Sequence, residues 1–200
     1  MNSIKKVFGI VSYFPDRDSA YHIDTRNQRT KRFTSMLYQL EELWPDIDII
    51  IIAQNWQDYT LPEIKNNIKV YSYPKLGILG ARKTLRKVFL ESDYDYLIMM
   101  DDDAIIAQAD PELYISEIDS HPDGIGVIRH SDCPLMFLAI SRYVYSQVDM
   151  PDIDPEKGEG FEDDLFVATC FAKFPKKAFN FSPLCIKEIS FKYHGVGAVN

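Results

Sequence analysis

The chain is 200 residues long, 46% hydrophobic and 13% aromatic, which is enough apolar material for a substantial core and excludes intrinsic disorder. A chain of this length predicts one domain, residues 1–200, rather than two. The net charge of −8, from 22 basic and 30 acidic residues, argues against a broad nucleic-acid face, which needs an excess of cations.

Apolar β-rich runs alternate with helical periodicity, the pattern of an α/β layered fold. Val7–Tyr13 reads as a buried strand, stopped by Phe14-Pro15-Asp16. A helix is predicted from about Asn27 to Leu43, with Phe33, Leu37, Leu40 and Trp44 three or four apart, and Pro45 ends it. Asp48–Ala53, nearly all isoleucine, suits a central strand covered on both faces. Ile68–Tyr73 is a third strand, and Leu79–Leu90 is a helix with Leu85, Val88 and Phe89 on its apolar side. Tyr94–Met100 is a fourth strand that runs directly into Asp101-Asp102-Asp103.

Asp110 and Pro111 read as the N-cap and first residue of a short helix, Pro111–Ile118. Gly126–Ile128 and Leu135–Ile140 read as strands, and Ser141 as the cap of a helix to Val148. Asp149–Gly160, with two prolines and two glycines, is the most loop-like stretch. Glu162–Phe174 returns to a helical pattern, and Ile189–Tyr193 fits an edge strand. The longest apolar runs, Ile49–Ala53 and Leu97–Met100, are too short to span a bilayer, so no transmembrane segment is expected. Lys5 and Lys6 precede Val7–Val11, but no small-residue cleavage site follows and Asp16-Arg17-Asp18 closes the stretch, against a secretory leader. Cys133, Cys170 and Cys185 are odd in number and unevenly spaced, giving neither a disulfide framework nor a zinc pattern. A soluble, cytoplasmic protein is the expectation.

Two segments concentrate the acidity. One is Asp101–Asp103; the other runs from Asp149 to Asp164, eight acids against a single Lys157. The remainder holds 19 acids and 21 bases and is nearly neutral. A lone acidic run is ordinarily a solvated face, whereas two clusters in a balanced chain fit a cation site better. A buried strand that delivers consecutive carboxylates to its carboxyl end puts them where ligands bind in open α/β sheets. Mn2+ or Mg2+ takes one or two such carboxylates together with phosphate oxygens.

Upstream, Gly77-Ile78-Leu79-Gly80-Ala81-Arg82-Lys83-Thr84 opens a helix rich in cations, a place where a diphosphate can bind. It is one residue from a P-loop, with Arg82 where glycine belongs, so a P-loop ATPase or kinase is one alternative. A solvated basic face accounts for Lys83 and Lys87 better than for Arg82. Gly158–Asp164 puts three consecutive acids at a helix start, which dipole capping alone does not require. His194, followed by glycine in a tail poor in polar groups, is a candidate metal ligand.

Together these motifs resemble the nucleotide-diphospho-sugar glycosyltransferases of GT-A fold, family-2-like, from Lys6 to about Cys170. Val11-Ser12-Tyr13-Phe14 is similar to the family's first strand end, and the resemblance puts Tyr13 beside the base. Ala53-Gln54-Asn55 stands where the family has base-reading aspartates, so the resemblance implies an amide-based contact from Gln54 and Asn55. Gly80-Ala81-Arg82 resembles the Ala-Arg helix, with Arg82 near the base or diphosphate. Asp101-Asp102-Asp103 resembles the Asp-x-Asp element: Asp103 on the metal, helped by Asp101 and His194, and Asp102 on the ribose. Glu162-Asp163 resembles the Glu-Asp helix start, which makes Asp163 the catalytic base, with Glu162 and Asp164 capping or binding the acceptor.

The resemblance implies a mostly parallel sheet flanked by helices, with a donor-binding part at about 1–104 and an acceptor and catalytic part at about 105–200. It implies a metal-dependent, inverting hexosyltransferase that uses a UDP-sugar and Mn2+ or Mg2+. The resemblance leaves the acceptor open among a glycan, a lipid-linked sugar, a protein and a modified nucleobase. A sugar-nucleotide pyrophosphorylase wants a glycine- and arginine-rich loop after the first strand, where Ser12–Asp18 has only Arg17. A non-catalytic cation-binding module would bind metal without nucleotide.

Overall fold

The computed structural model describes residues 4–14, 23–102, 104–128, 137–151 and 161–190. Four strands come early: β1 (Lys6–Tyr13), β2 (Asp48–Gln54), β3 (Ile68–Tyr73) and β4 (Tyr96–Asp101). The helices α1 (Ile23–Leu43) and α2 (Gly77–Glu91) connect them. Then follow β5 (Ile105–Ala109), α3 (Pro111–Ser120), β6 (Ile125–Ile128), β7 (Leu138–Ser141), α4 (Arg142–Tyr145), α5 (Phe161–Lys173), β8 (Ala178–Phe181) and β9 (Ile186–Ser190).

Among the described residues seven strands form one sheet in the order β3-β2-β1-β4-β7-β6-β8, and β5 pairs with β9 apart from it. The first four are mutually parallel, while β7 runs antiparallel to both β4 and β6. This is a mixed α/β fold with a mostly parallel sheet flanked by helices.

Strand periodicity splits the core in two. In β2, Ile49, Ile51 and Ala53 face a cluster with Phe33, Leu37, Leu40 and Trp44 of the α1 side. Ile50 and Ile52 face the opposite cluster with Ala81, Leu85 and Phe89 of α2. Glycine at position 9 lets α2 approach β1, since a Cβ there would lie 2.5 Å from Leu97 Cδ1 and 3.0 Å from both Leu85 methyls. On the other face Gln39 of α1 exchanges two 3.1 Å hydrogen bonds with the backbone of Ile106 in β5.

Several element ends differ from expectation. Helix α1 begins at Ile23, one turn before Asn27, and β5 and β8 are strands where none was expected. Asp110 caps α3 by accepting from Leu113 N at 3.0 Å, and Ser141 caps α4 by accepting from Val144 N at 3.3 Å. Helix α4 ends at Tyr145 rather than Val148. Residues 152–160, the core of the expected acidic loop, lie outside the described residues.

Arg142 closes the α2–β4 turn. Its guanidinium donates to the carbonyls of Phe89, Leu90, Ser92 and Tyr94 and lies 5.0 Å from the Phe89 ring centroid. Two of those carbonyls belong to the last turn of α2, where the Ser92 amide also donates to the Phe89 carbonyl at 3.1 Å. Arg142→Ala is expected to cost about 3 kcal/mol and lower the melting temperature by roughly 6–12 °C. Arg142→Lys should restore only part of this in the same thermal melt, because a lysine has no fork to span four acceptors.

Candidate functional site

Because β3, β2, β1 and β4 are parallel, their carboxyl ends share one edge of the sheet, about 14 Å across. Strand order reverses at β1, whose neighbours are β2 on one side and β4 on the other. That crevice is where open α/β sheets bind ligands. It holds Ser12 and Tyr13 from β1 and Asp101 and Asp102 from the end of β4.

Asp102 is buried and turned toward β1. Its Oδ2 accepts from the Ser12 hydroxyl at 2.8 Å and from the Tyr13 amide at 3.1 Å. Asp101 points another way, toward α2, with Oδ1 at 3.4 Å from Arg82 Nη2. The Arg82 side chain is 5% exposed and that of Asp101 26%, so the pair sits at the margin of the core. Lys83 and Lys87, by contrast, are exposed.

Beside this crevice lies a pocket of about 470 Å³ lined by Tyr13, Asn55, Trp56, Gln57, Ser72, Tyr73, Pro74 and Lys75. The Lys75 ammonium is 5.7 Å from the Tyr13 ring centroid. Asn55 turns the chain after β2 with φ at 57°, a left-handed conformation that asparagine tolerates. Its side-chain amide donates to the Phe14 carbonyl at 2.8 Å. Gln54 is buried, does not line the pocket, and accepts from Leu76 N at 2.7 Å, joining the end of β2 to the start of α2. Arg29 of α1 donates to the Tyr13 carbonyl at 2.9 Å, and Arg26 donates to the Asn55 and Gln57 carbonyls.

Phe14, Phe33, Trp56 and Tyr59 form an aromatic cluster behind the pocket, with ring centroids 5.0–6.0 Å apart. Sequence reasoning missed Trp56 and Lys75; the clue was their position, each two residues beyond a strand end. The stretch that resembles a P-loop is helical from Gly77 onward, so no loop precedes Lys83 to wrap a phosphate.

Glu162, Asp163 and Asp164 occupy the first turn of α5. Asp164 is exposed, while the side chains of Glu162 and Asp163, like Asp103 and His194, lie outside the described residues. The helix is anchored by Phe166 and Cys170, both fully buried, and Phe166 meets Tyr145 edge-on at 5.6 Å. Burial pushes the Cys170 and Cys185 thiols up to about 12, which leaves them poor nucleophiles.

Among the described residues no three His, Cys, Asp or Glu side chains converge as a metal site. The donors present do suit a hard cation, since Asp101 offers carboxylate oxygens at the strand end. Among those residues, too, no helix is long and apolar enough to cross a membrane.

No protein-family model matches the chain, and no curated protein matches it in sequence. Solved structures do resemble it. S. aureus TarS aligns with TM-score 0.59 and 12% identity over 92% of this chain and 36% of TarS. The TarS 1–349 fragment in complex with UDP-GlcNAc aligns with TM-score 0.58 and 14% identity over 84% of this chain and 53% of the fragment. The chain thus spans between a third and just over half of these two structures. A protein from Desulfovibrio desulfuricans G20 assigned to the nucleotide-diphospho-sugar transferases gives TM-score 0.55 and 12% identity, covering 88% of this chain and 79% of that one. One from Bacillus anthracis, assigned as a glucose-1-phosphate thymidylyltransferase, gives TM-score 0.51 and 12% identity over 88% and 87%. The chain shares its fold with these solved structures.

Proposed function

We propose that the protein is a family-2-like glycosyltransferase that moves a hexosyl group from a UDP-sugar to an acceptor hydroxyl, with inversion. The observation that carries this reading is the meeting, at one sheet edge, of the 470 Å³ pocket and the carboxylates that end β4. That volume falls in the range of small-molecule sites. The fold shared with nucleotide-diphospho-sugar transferases supports the same reading.

In this scheme residues 1–104 bind the donor and 105–200 carry the acceptor and catalytic side. Tyr13 lies beside the base with Lys75, Asn55 lines that end of the pocket while Gln54 holds the turn behind it, and Asp102 meets the ribose. Arg82 adds positive charge at the diphosphate. Asp103, with Asp101 and His194, would hold Mn2+ or Mg2+, which when bound supplies charge against the leaving diphosphate. Asp163 takes the proton of the attacking hydroxyl, and Glu162 and Asp164 flank it with capping or acceptor hydrogen bonds.

Calorimetry with UDP, GDP, dTDP, CDP and ATP tests the donor class, with UDP in manganese expected to bind. Absence of binding by every nucleotide overturns it and leaves a cation-binding module. The likeness to a thymidylyltransferase makes nucleotidyl transfer the competing reading, and the released product, UDP or pyrophosphate, separates the two.

Arg82 is buried against Asp101 while Lys87 is exposed, so the two cations should differ in effect. Arg82→Lys is expected to lower donor turnover by roughly tenfold or more, because a point charge cannot replace the guanidinium fork. Lys87→Ala should stay within about twofold in the same assay. Equal losses would indicate a diffuse basic face instead.

A further inference from the structure

The Ser12 hydroxyl is fully buried between two partners. Trp56 Nε1 donates to it at 3.0 Å, and it donates onward to Asp102 Oδ2 at 2.8 Å. A hydroxyl has one proton and otherwise rotates to suit its surroundings. With the indole N–H on its acceptor side, the serine proton is directed at the carboxylate. The indole is itself held, stacked on Phe14 at 5.3 Å and packed edge-on against Phe33 and Tyr59. Trp56 also lines the pocket, so one ring joins the wall of the cleft to the carboxylate just past the end of β4.

We infer that Trp56 is a positioning residue for Asp102, acting through the Ser12 hydroxyl to fix the direction in which that carboxylate meets the donor. The role given to Asp102 rests on the donor reading above; the hydrogen-bond chain does not. Packing alone does not account for the indole, since a phenyl ring could fill an aromatic cluster and only the N–H reaches Ser12. Pre-set orientation of a binding carboxylate spares the ligand the cost of ordering it. The chain's other tryptophan, Trp44, sends its N–H to the Pro111 carbonyl at 3.3 Å, and so serves as an internal control.

Two measurements on the whole protein test this. The first is NMR hydrogen exchange of the two indole N–H groups, with no nucleotide present. Asp102→Ala and Ser12→Ala should each speed exchange at Trp56 by about tenfold and leave Trp44 within about twofold. Asp102→Val serves as a second removal of the acceptor where Asp102→Ala does not fold. Unchanged exchange at Trp56 when Asp102 is removed overturns the chain.

The second is calorimetry of UDP in manganese with Trp56→Phe, Asp102→Asn and the double variant. Trp56→Phe should weaken UDP by about tenfold in the wild-type background and by less than about twofold beside Asp102→Asn. Equal losses in both backgrounds overturn the positioning role and make Trp56 a packing residue. Coupled exchange in a protein that binds no UDP upholds the hydrogen-bond chain and counts against the donor reading instead.

Discussion

Asp163→Asn is expected to bring sugar transfer close to a halt, lowering turnover by about 10²–10⁴-fold while UDP affinity changes by less than about twofold. Asparagine keeps the shape of the side chain and removes its capacity to accept a proton. Successive residues of a helix project about 100° apart, so only one of Glu162, Asp163 and Asp164 can face a given acceptor. The turns that follow are anchored to the core by Phe166 and Cys170, whose side chains are fully buried. A transfer or donor-hydrolysis assay decides the assignment. Near wild-type turnover in Asp163→Asn, with loss in Glu162→Gln or Asp164→Asn, would move the base to a neighbour. Full activity in all three would make the helix start structural.

The second large effect is expected at Asp103. A carboxylate cluster and a diphosphate are both anionic, so their association needs a cation between them. Asp103→Asn should weaken UDP in manganese on the order of 100-fold, about the loss wild type suffers in chelator. Chelator should then cost the variant little more. Calorimetry in both conditions reads this directly. Equal UDP affinity of wild type with and without manganese would remove the cation from the scheme.

The parallel half of the fold was legible because β1, β2 and β4 are continuous apolar runs, a composition that only a doubly covered strand needs. Helix α1 starts early because nothing between Ile23 and Asn27 breaks it. β5 was obscured by its nearness to the aspartates, and its ladder with β9 is interrupted by two register shifts. β8 has four residues and follows two lysines, too short a run for alternation to register.

At the site, Arg82 stood out because a solvated face explained it poorly, and it proves to be buried. Asp101 and Asp102 diverge as an extended strand end requires. What could not be read was which side chains hold them. Trp56, Ser12 and Asp102 are 44 and 90 residues apart along the chain, and only the β1–β4 and β1–β2 ladders bring them together.

That separation also orders events during synthesis. Every residue lining the pocket lies between Tyr13 and Lys75, on the first three strands and the turns after them. The aspartates emerge from the ribosome some thirty residues later, and α5 later still. Until β4 inserts beside β1, the inner flank of β1 is an uncovered strand edge, bare of its final hydrogen-bond partner. A nascent chain stalled after β3 would therefore expose a finished cleft beside an adhesive edge, the kind of intermediate that chaperones shield. Insertion of β4 covers that edge and delivers the carboxylates in one step.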